Sequence, residues 1–159
     1  MARRKRPIKI VQVSFSGIAD RGKAVGRTEE GAVVFAQGPV PGDVAEVLLL
    51  KKKKGVSQGK VSSYLKLSPY RTETACQHFE NCGGCKWQHL DYQKQLEEKE
   101  GVVRDAFQRI AKIEPQEFQS ILGGEEIFYY RNKLEFSFSN KRWLTEEEIR
   151  SEDGYGDEN

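Results

Sequence analysis

The 159-residue sequence predicts a mainly β fold with some α structure. The expected order is a small β-barrel over residues 1–67, a cysteine-cluster segment plus helix over 68–113, and the first strands of a truncated central β domain with an acidic tail over 114–159. Three observations lead there. Short runs of alternating apolar and polar residues, separated by Gly and Pro turn signals, fill the front of the chain. That alternation stops after Ser68-Pro69, where three cysteines fall within ten positions. A strand-like alternation then resumes at Phe128.

Lys9, Val11, Val13 and Phe15 alternate against Ile8, Ile10 and Gln12, and the run closes at Gly17, as a strand does before a turn. Ala32 to Ala36 forms a second run after the turn signal Glu30-Gly31. Gly38-Pro39-Val40-Pro41-Gly42-Asp43 is a forced loop, because its prolines fix φ and its glycines permit positive φ. Val44 to Leu50 and Val56 to Leu65 follow as a hairpin. Its connection, Lys51-Lys52-Lys53-Lys54-Gly55, places four ammonium groups at one rim. Four or five short strands in about 60 residues suit a barrel of the oligonucleotide-binding type, whose loops and one face hold RNA or DNA.

Asp91 to Ile113 reads as a helix capped by Asp91. Tyr92, Leu96, Val103, Phe107 and Ile110 recur as one apolar stripe, a packing surface, while Gly101 weakens the middle by about 1 kcal/mol relative to alanine. Farther on, Leu134, Phe136 and Phe138 share one face of a strand pattern. Asn140-Lys141 reads as a hairpin turn, Trp143 as the start of a returning strand, and Thr145-Glu146-Glu147-Glu148 as a capping-box helix start. One such face does not make an independent sheet, so the sequence is expected to stop inside a domain.

The net charge of +2 conceals an asymmetry. Residues 1–75 carry 15 Lys/Arg against 6 Asp/Glu, and residues 76–159 carry 11 against 18. A basic front half without an opposing bulky apolar helix face points to nucleic acid before acidic lipid. The cations expected to meet phosphates are Arg3 to Arg6, Arg21, Lys23, Arg27, Lys51, Lys52, Lys53 and Lys54. Phe15, Phe35 and Tyr64 offer rings for base stacking, although in so small a barrel such residues more often fill the core. The longest apolar run, Val44 to Leu50, is seven residues and contains Glu46, far below the roughly 20 that a membrane helix needs. No secretory signal follows the basic start, so a cytoplasmic location is expected, and the chain is expected to be a monomer.

Cys76-x5-Cys82-Gly83-Gly84-Cys85 is the most informative stretch. An odd number of tightly clustered cysteines disfavours a disulfide framework and favours thiolates gathered around a metal. Zinc would take His89 or His78 as its fourth ligand, whereas an iron–sulfur cube needs a fourth cysteine that this chain lacks. Spacing alone leaves both metals open. A nucleophilic cysteine is the weaker reading, since no carboxylate arrangement orients a histidine base beside a thiol.

Several stretches together resemble the RNA uracil-5-methyltransferases. They are Ser68-Pro69-Tyr70-Arg71, the cysteine motif running on through Lys86-Trp87-Gln88-His89-Leu90, Tyr92 with Gln95-Leu96 and Lys99, and Tyr130-Arg131-Asn132-Lys133. Upstream, Gly22-Lys23-Ala24-Val25-Gly26-Arg27, Val34-Phe35 and Pro41-Gly42-Asp43 resemble the TRAM domain, the small RNA-binding barrel that opens many members. The resemblance implies an amino-terminal fragment of an enzyme that methylates C5 of a uridine in RNA, most readily 23S ribosomal RNA. It implies a 4Fe-4S cluster held by Cys76, Cys82, Cys85 and a fourth cysteine past Asn159, and it adds Arg131 and Lys133 as RNA contacts. It also places the S-adenosylmethionine domain, the cysteine that attacks C6 of the uracil and the base that removes the C5 proton beyond Asn159. The fragment alone is then expected to be inactive. A zinc-stabilised, non-catalytic RNA-binding adaptor is the alternative from the residues themselves.

Overall fold

The computed structural model describes residues 9–53, 55–130, 132–133, 135–142, 144–145 and 148. Five strands form the front of the molecule: β1 (Ile10–Ile18), β2 (Ala24–Arg27), β3 (Val33–Ala36), β4 (Val44–Lys53) and β5 (Val56–Lys66). They close a barrel in the order β1-β2-β3-β5-β4, with β1 returning to β4. All pairings are antiparallel except that of β3 with β5. This is the five-stranded oligonucleotide-binding type of barrel expected from the sequence.

Alternation decides which side chains fill it. Val13 and Phe15 of β1, Ala24 of β2, Val34 and Ala36 of β3, and Ala45 and Val47 of β4 make one buried cluster. Apart from Phe15 its residues are Val and Ala, because little space is left between five strands. Gly59 shows how little: a Cβ there would lie 2.2 Å from Val47 Cγ1 and 2.9 Å from the Leu48 carbonyl oxygen. The sequence signal omits β2, a four-residue strand beside a tight turn, and ends β4 early. In the structure β4 continues through Lys53, whose backbone pairs with Val56.

A second, smaller core ties the next segment to the barrel. Ile18 at the end of β1, Val40 of the β3–β4 loop and Leu90 are buried together, with Trp87 packed against them. Arg71 bridges to Leu90, the Thr72 N–H donates to the His89 carbonyl at 3.1 Å, and the Asp91 N–H donates to Tyr70 at 2.9 Å. These contacts clamp the base of a loop that runs from residue 73 to residue 88. Within the loop is the one-turn helix α1 (Phe79–Cys82), ended by Gly83 at φ 71°.

Beneath this joint lies a buried carboxylate. Asp43 is wholly inaccessible and accepts hydrogen bonds from the Val40 N–H at 2.7 Å and the Ser68 N–H at 2.8 Å. Arg71 completes the set bidentately, Nε to Oδ1 at 3.0 Å and Nη2 to Oδ2 at 2.7 Å. A buried charge satisfied on every side in this way is strongly destabilised only when one partner is removed.

Helix α2 (Tyr92–Asp105) starts where expected, with the Asp91 carboxylate accepting from the Lys94 N–H at 3.1 Å. Glu98 anchors it to the barrel by accepting from the Ile18 N–H at 2.9 Å. The predicted helix to Ile113 is only partly α-helical. After Asp105 the chain winds into a π-helical turn, Ala106–Ala111, closed by Lys112 at φ 54°. The following segment folds back along α2. Phe118 meets Phe107 edge-on and lies under Arg104, the Ile121 N–H donates to Glu100 at 3.1 Å, and the Gly124 N–H donates to Tyr92 Oη at 2.7 Å. Leu96 is therefore buried, while Val103 and Ile110 of the same stripe stay exposed, so its distal half is not the packing surface expected.

The strands expected after Phe128 are a further difference. Among the described residues of 114–148 no strand forms, and Phe136 and Phe138 are exposed. An alternating segment needs backbone partners to become a strand, and among the described residues none pairs with it. Lys141 instead donates its N–H to Ser139 Oγ at 3.0 Å, a local turn where the hairpin was expected. Leu134, Trp143, Glu146 and Glu147 lie outside the described residues. The capping box is present: Thr145 N–H donates to Glu148 Oε2 at 2.7 Å, and Glu148 N–H donates to Thr145 Oγ1 at 3.3 Å.

Candidate nucleic-acid interface

In barrels of this topology the β1–β2 loop, the β4–β5 loop and the outer face of β2 and β3 are the surfaces that hold oligonucleotides. Here the β1–β2 loop is a tight turn. The Ala19 N–H donates to the Lys23 carbonyl at 2.7 Å and the Gly22 N–H donates back to Ala19 at 3.3 Å. Arg21 projects from its apex in the left-handed region, at φ 59°, and is exposed. Lys23 begins the neighbouring face and reaches Gln58 Oε1 of β5 at 3.5 Å. Arg27 sits exposed at the far end of β2, donating from Nη1 to the Gly31 carbonyl at 3.1 Å.

The register lines these groups up. Val25 of β2 stands opposite Phe35 of β3, Phe35 opposite Gln58 of β5, and Gln58 opposite Lys51 of β4. Because Val34 and Ala36 point inward, Phe35 lies half-buried on the outer face. It is thus a ring flanked by cationic positions, an arrangement that suits stacking of an unpaired base beside phosphates. Phe15 is core, as its residue type favours, at 3% exposure. Tyr64 is partly exposed beneath the Arg71 guanidinium, 4.7 Å from its ring centre.

Arg21, Lys23, Arg27 and the backbone of Lys51, Lys52 and Lys53 therefore belong to one barrel, and Lys52 and Lys53 pair with Ser57 and Val56. Arg3 to Arg6, Lys54 and Arg131 lie outside the described residues. Lys133 is not on the barrel. It is exposed, outside any strand, and pairs locally with Glu135 at 3.6 Å.

The cysteine loop lies against the same end of the barrel. The Trp87 indole N–H donates to the Gly22 carbonyl at 3.3 Å, and the Cys76 N–H donates to Gln88 Oε1 at 2.8 Å. All three thiols are free, Cys76 half-buried and Cys82 and Cys85 exposed. They suit a cluster or zinc in donor type, and among the described residues no three His, Cys, Asp or Glu side chains converge on one point. His89, offered by sequence as a zinc ligand, is buried elsewhere. Its Nε2 lies 2.8 Å from the Gly38 carbonyl and its ring 4.9 Å from that of Phe79. His78 is exposed at the start of α1.

The sequence marks Asp43 and Arg71 only as members of motifs and gives them no role. The usable signal is chemical, because an aspartate inside a Pro/Gly loop must find a cation if it is buried. Burial of Arg71 opposes its charge, but hydrogen bonds and attraction from Asp43 outweigh this and raise its pKa.

Comparison with known proteins defines the class first. Residues 4–62 match the family model of the TRAM domain. Over most of its length the chain is similar to bacterial proteins named as uncharacterized RNA methyltransferases. One from Porphyromonas gingivalis is 46% identical over 142 residues, 89% of this chain and 30% of that protein. Others come from Bacteroides thetaiotaomicron, at 44% identity over 87% of this chain and 30% of the relative, and from Chlorobaculum tepidum, at 35% over 94% and 31%. The chain spans about 30% of the length of these proteins. Among the described residues no helix is long and apolar enough to cross a membrane.

Proposed function

We propose that this chain is the RNA-binding, amino-terminal portion of an S-adenosylmethionine-dependent methyltransferase that modifies C5 of a uridine, with 23S ribosomal RNA as the expected substrate and the cytoplasm as its compartment. The observation that carries the reading is the TRAM barrel with Arg21, Lys23, Arg27 and Phe35 placed on its β1–β2 loop and its β2–β3 face. Cations there neutralise phosphates and release counterions, which sets position on the RNA, while the ring stacks on a base that has left its helix. Methyl-donor binding and uracil chemistry belong to the part of the protein outside this chain.

Cys76, Cys82 and Cys85 are proposed as three ligands of a 4Fe-4S cluster whose fourth cysteine lies outside this chain. Three free thiols in ten positions support that reading. The placement of His89 under Gly38 argues against its recruitment to zinc. The role assigned to the cluster is structural, holding the loop against the barrel.

Two measurements test this. Binding of a fluorescent single-stranded RNA to the 159-residue chain is expected to weaken steeply with salt, with Lys23→Ala and Arg27→Ala each lowering the slope of log affinity against log salt by roughly 1. The full-length protein purified without oxygen is expected to carry iron and sulfide, and to transfer labelled methyl groups to uracil in RNA, whereas the chain alone transfers none. Salt-independent binding, or a full-length protein that methylates another base, overturns the assignment.

A further inference from the structure

We propose that Lys86 of the cysteine loop joins Arg21 and Lys23 of the barrel in one phosphate-binding cluster, making the cysteine segment itself part of the surface that grips single-stranded RNA. The inference rests on reading the β1–β2 loop as an RNA contact and adds a second chain segment to it.

Gly22 is the pivot. It stands between Arg21 and Lys23 at φ 73°, and a Cβ on it would lie 2.8 Å from Lys86 Cβ, 3.0 Å from Lys86 Cγ and 3.0 Å from Trp87 Nε1. The stem of Lys86 therefore runs directly along the one residue that separates the two barrel cations. The Trp87 indole, bonded to the Gly22 carbonyl at 3.3 Å, holds it there. Lys86 is exposed, and among the described residues no ion pair engages it. Lys23 is met by a neutral amide, Gln58.

Gly22 thus brings the stem of a cation from a second chain segment beside the residue that joins Arg21 and Lys23, and an anion crossing the turn meets both segments. A phosphate backbone passing over the turn supplies that anion, and the Phe35 ring on the adjoining face selects a polymer with unpaired bases over a free phosphate. Lys86 immediately follows Cys85, so whatever holds the cysteine loop closed also holds this cation at the barrel.

Fluorescence anisotropy of the 159-residue chain with a labelled, unpaired oligouridylate tests the proposal, with melting temperature measured for every variant. Lys86→Ala is expected to weaken binding at 50 mM salt and to flatten the salt dependence by about one charge, so that its deficit shrinks about threefold by 200 mM. Lys86→Arg is expected to bind like the native chain, as is Lys112→Ala, which removes an exposed lysine after α2. Unchanged affinity and slope for Lys86→Ala, while Lys23→Ala and Arg27→Ala both weaken, overturns the role of Lys86 and leaves the barrel interface standing. Weakened binding with an unchanged slope makes Lys86 a packing residue and also overturns the proposal. If the native chain does not bind, or no cation matters, the barrel reading fails and takes this inference with it.

Discussion

Asp43 ties three parts of the chain together, because its two oxygens reach the loop before β4, the chain after β5 and Arg71 at once. Asp43→Ala leaves the Arg71 guanidinium without its carboxylate and the N–H groups of Val40 and Ser68 without acceptors. A loss of about 3–5 kcal/mol is expected in urea unfolding. Adding Arg71→Ala to it is expected to cost clearly less than the two single changes summed, since the residues act as one unit. Glu100 makes a weaker, pH-dependent contact. The Ile121 N–H first, and Arg104 second, hold its pKa below the ordinary carboxylate value. A carboxylate with a depressed pKa stabilises above its unfolded pKa, about 4.3, and loses that contribution as pH falls through the folded value. Protection of the Ile121 amide, taken relative to its intrinsic exchange rate at each pH, is therefore expected to fall as pH drops below the ordinary carboxylate range, and Glu100→Gln to remove that dependence. Such residues are hard to read in a sequence, because Asp43 and Arg71 are 28 positions apart and only the closed barrel brings them together.

At the level of elements, α2 offers a clean substitution. Gly101 has no atom within 4 Å of a built Cβ, so Gly101→Ala fits without strain. It is expected to stabilise the chain by about 0.5–1 kcal/mol, seen as a higher urea midpoint at unchanged slope. The start of α2 was legible in Asp91 because a capping aspartate acts through its own local hydrogen bond. Its end was not, because the π-helical turn at Ala106–Ala111 coincides with Phe107 meeting Phe118, a contact from a segment that no periodicity announces. β1, β3, β4 and β5 were legible in their alternation, and β2 escaped because four residues, one of them Gly26, carry too little pattern. The alternation from Leu134 to Phe138 is real as a pattern, yet among the described residues 135–138 form no strand.

For the whole molecule, the shared core of Ile18, Val40, Leu90 and Trp87 makes the barrel and the base of the cysteine loop one cooperative unit. Urea unfolding followed by barrel circular dichroism and by Trp87 fluorescence, in a Trp143→Phe background, is expected to give coincident transitions. Separate midpoints would show that the two parts fold independently. Of the cations the sequence singled out, Arg21, Lys23 and Arg27 lie on one barrel, and Lys133 does not. What the sequence did not reveal is that Gly22 seats Lys86 and Trp87, a match between segments more than 60 positions apart.

The parallel pairing of Val34 to Ala36 with Ser57 to Gly59 sets an order on the birth of the protein. As the chain leaves the ribosome, the first four strands are complete by Lys53 but leave a gap between β3 and β4 that only β5 fills. Folding of the nascent barrel must wait for the last strand, so a stalled chain ending before Ser57 is expected to expose two open strand edges and to be a target for chaperones or proteases.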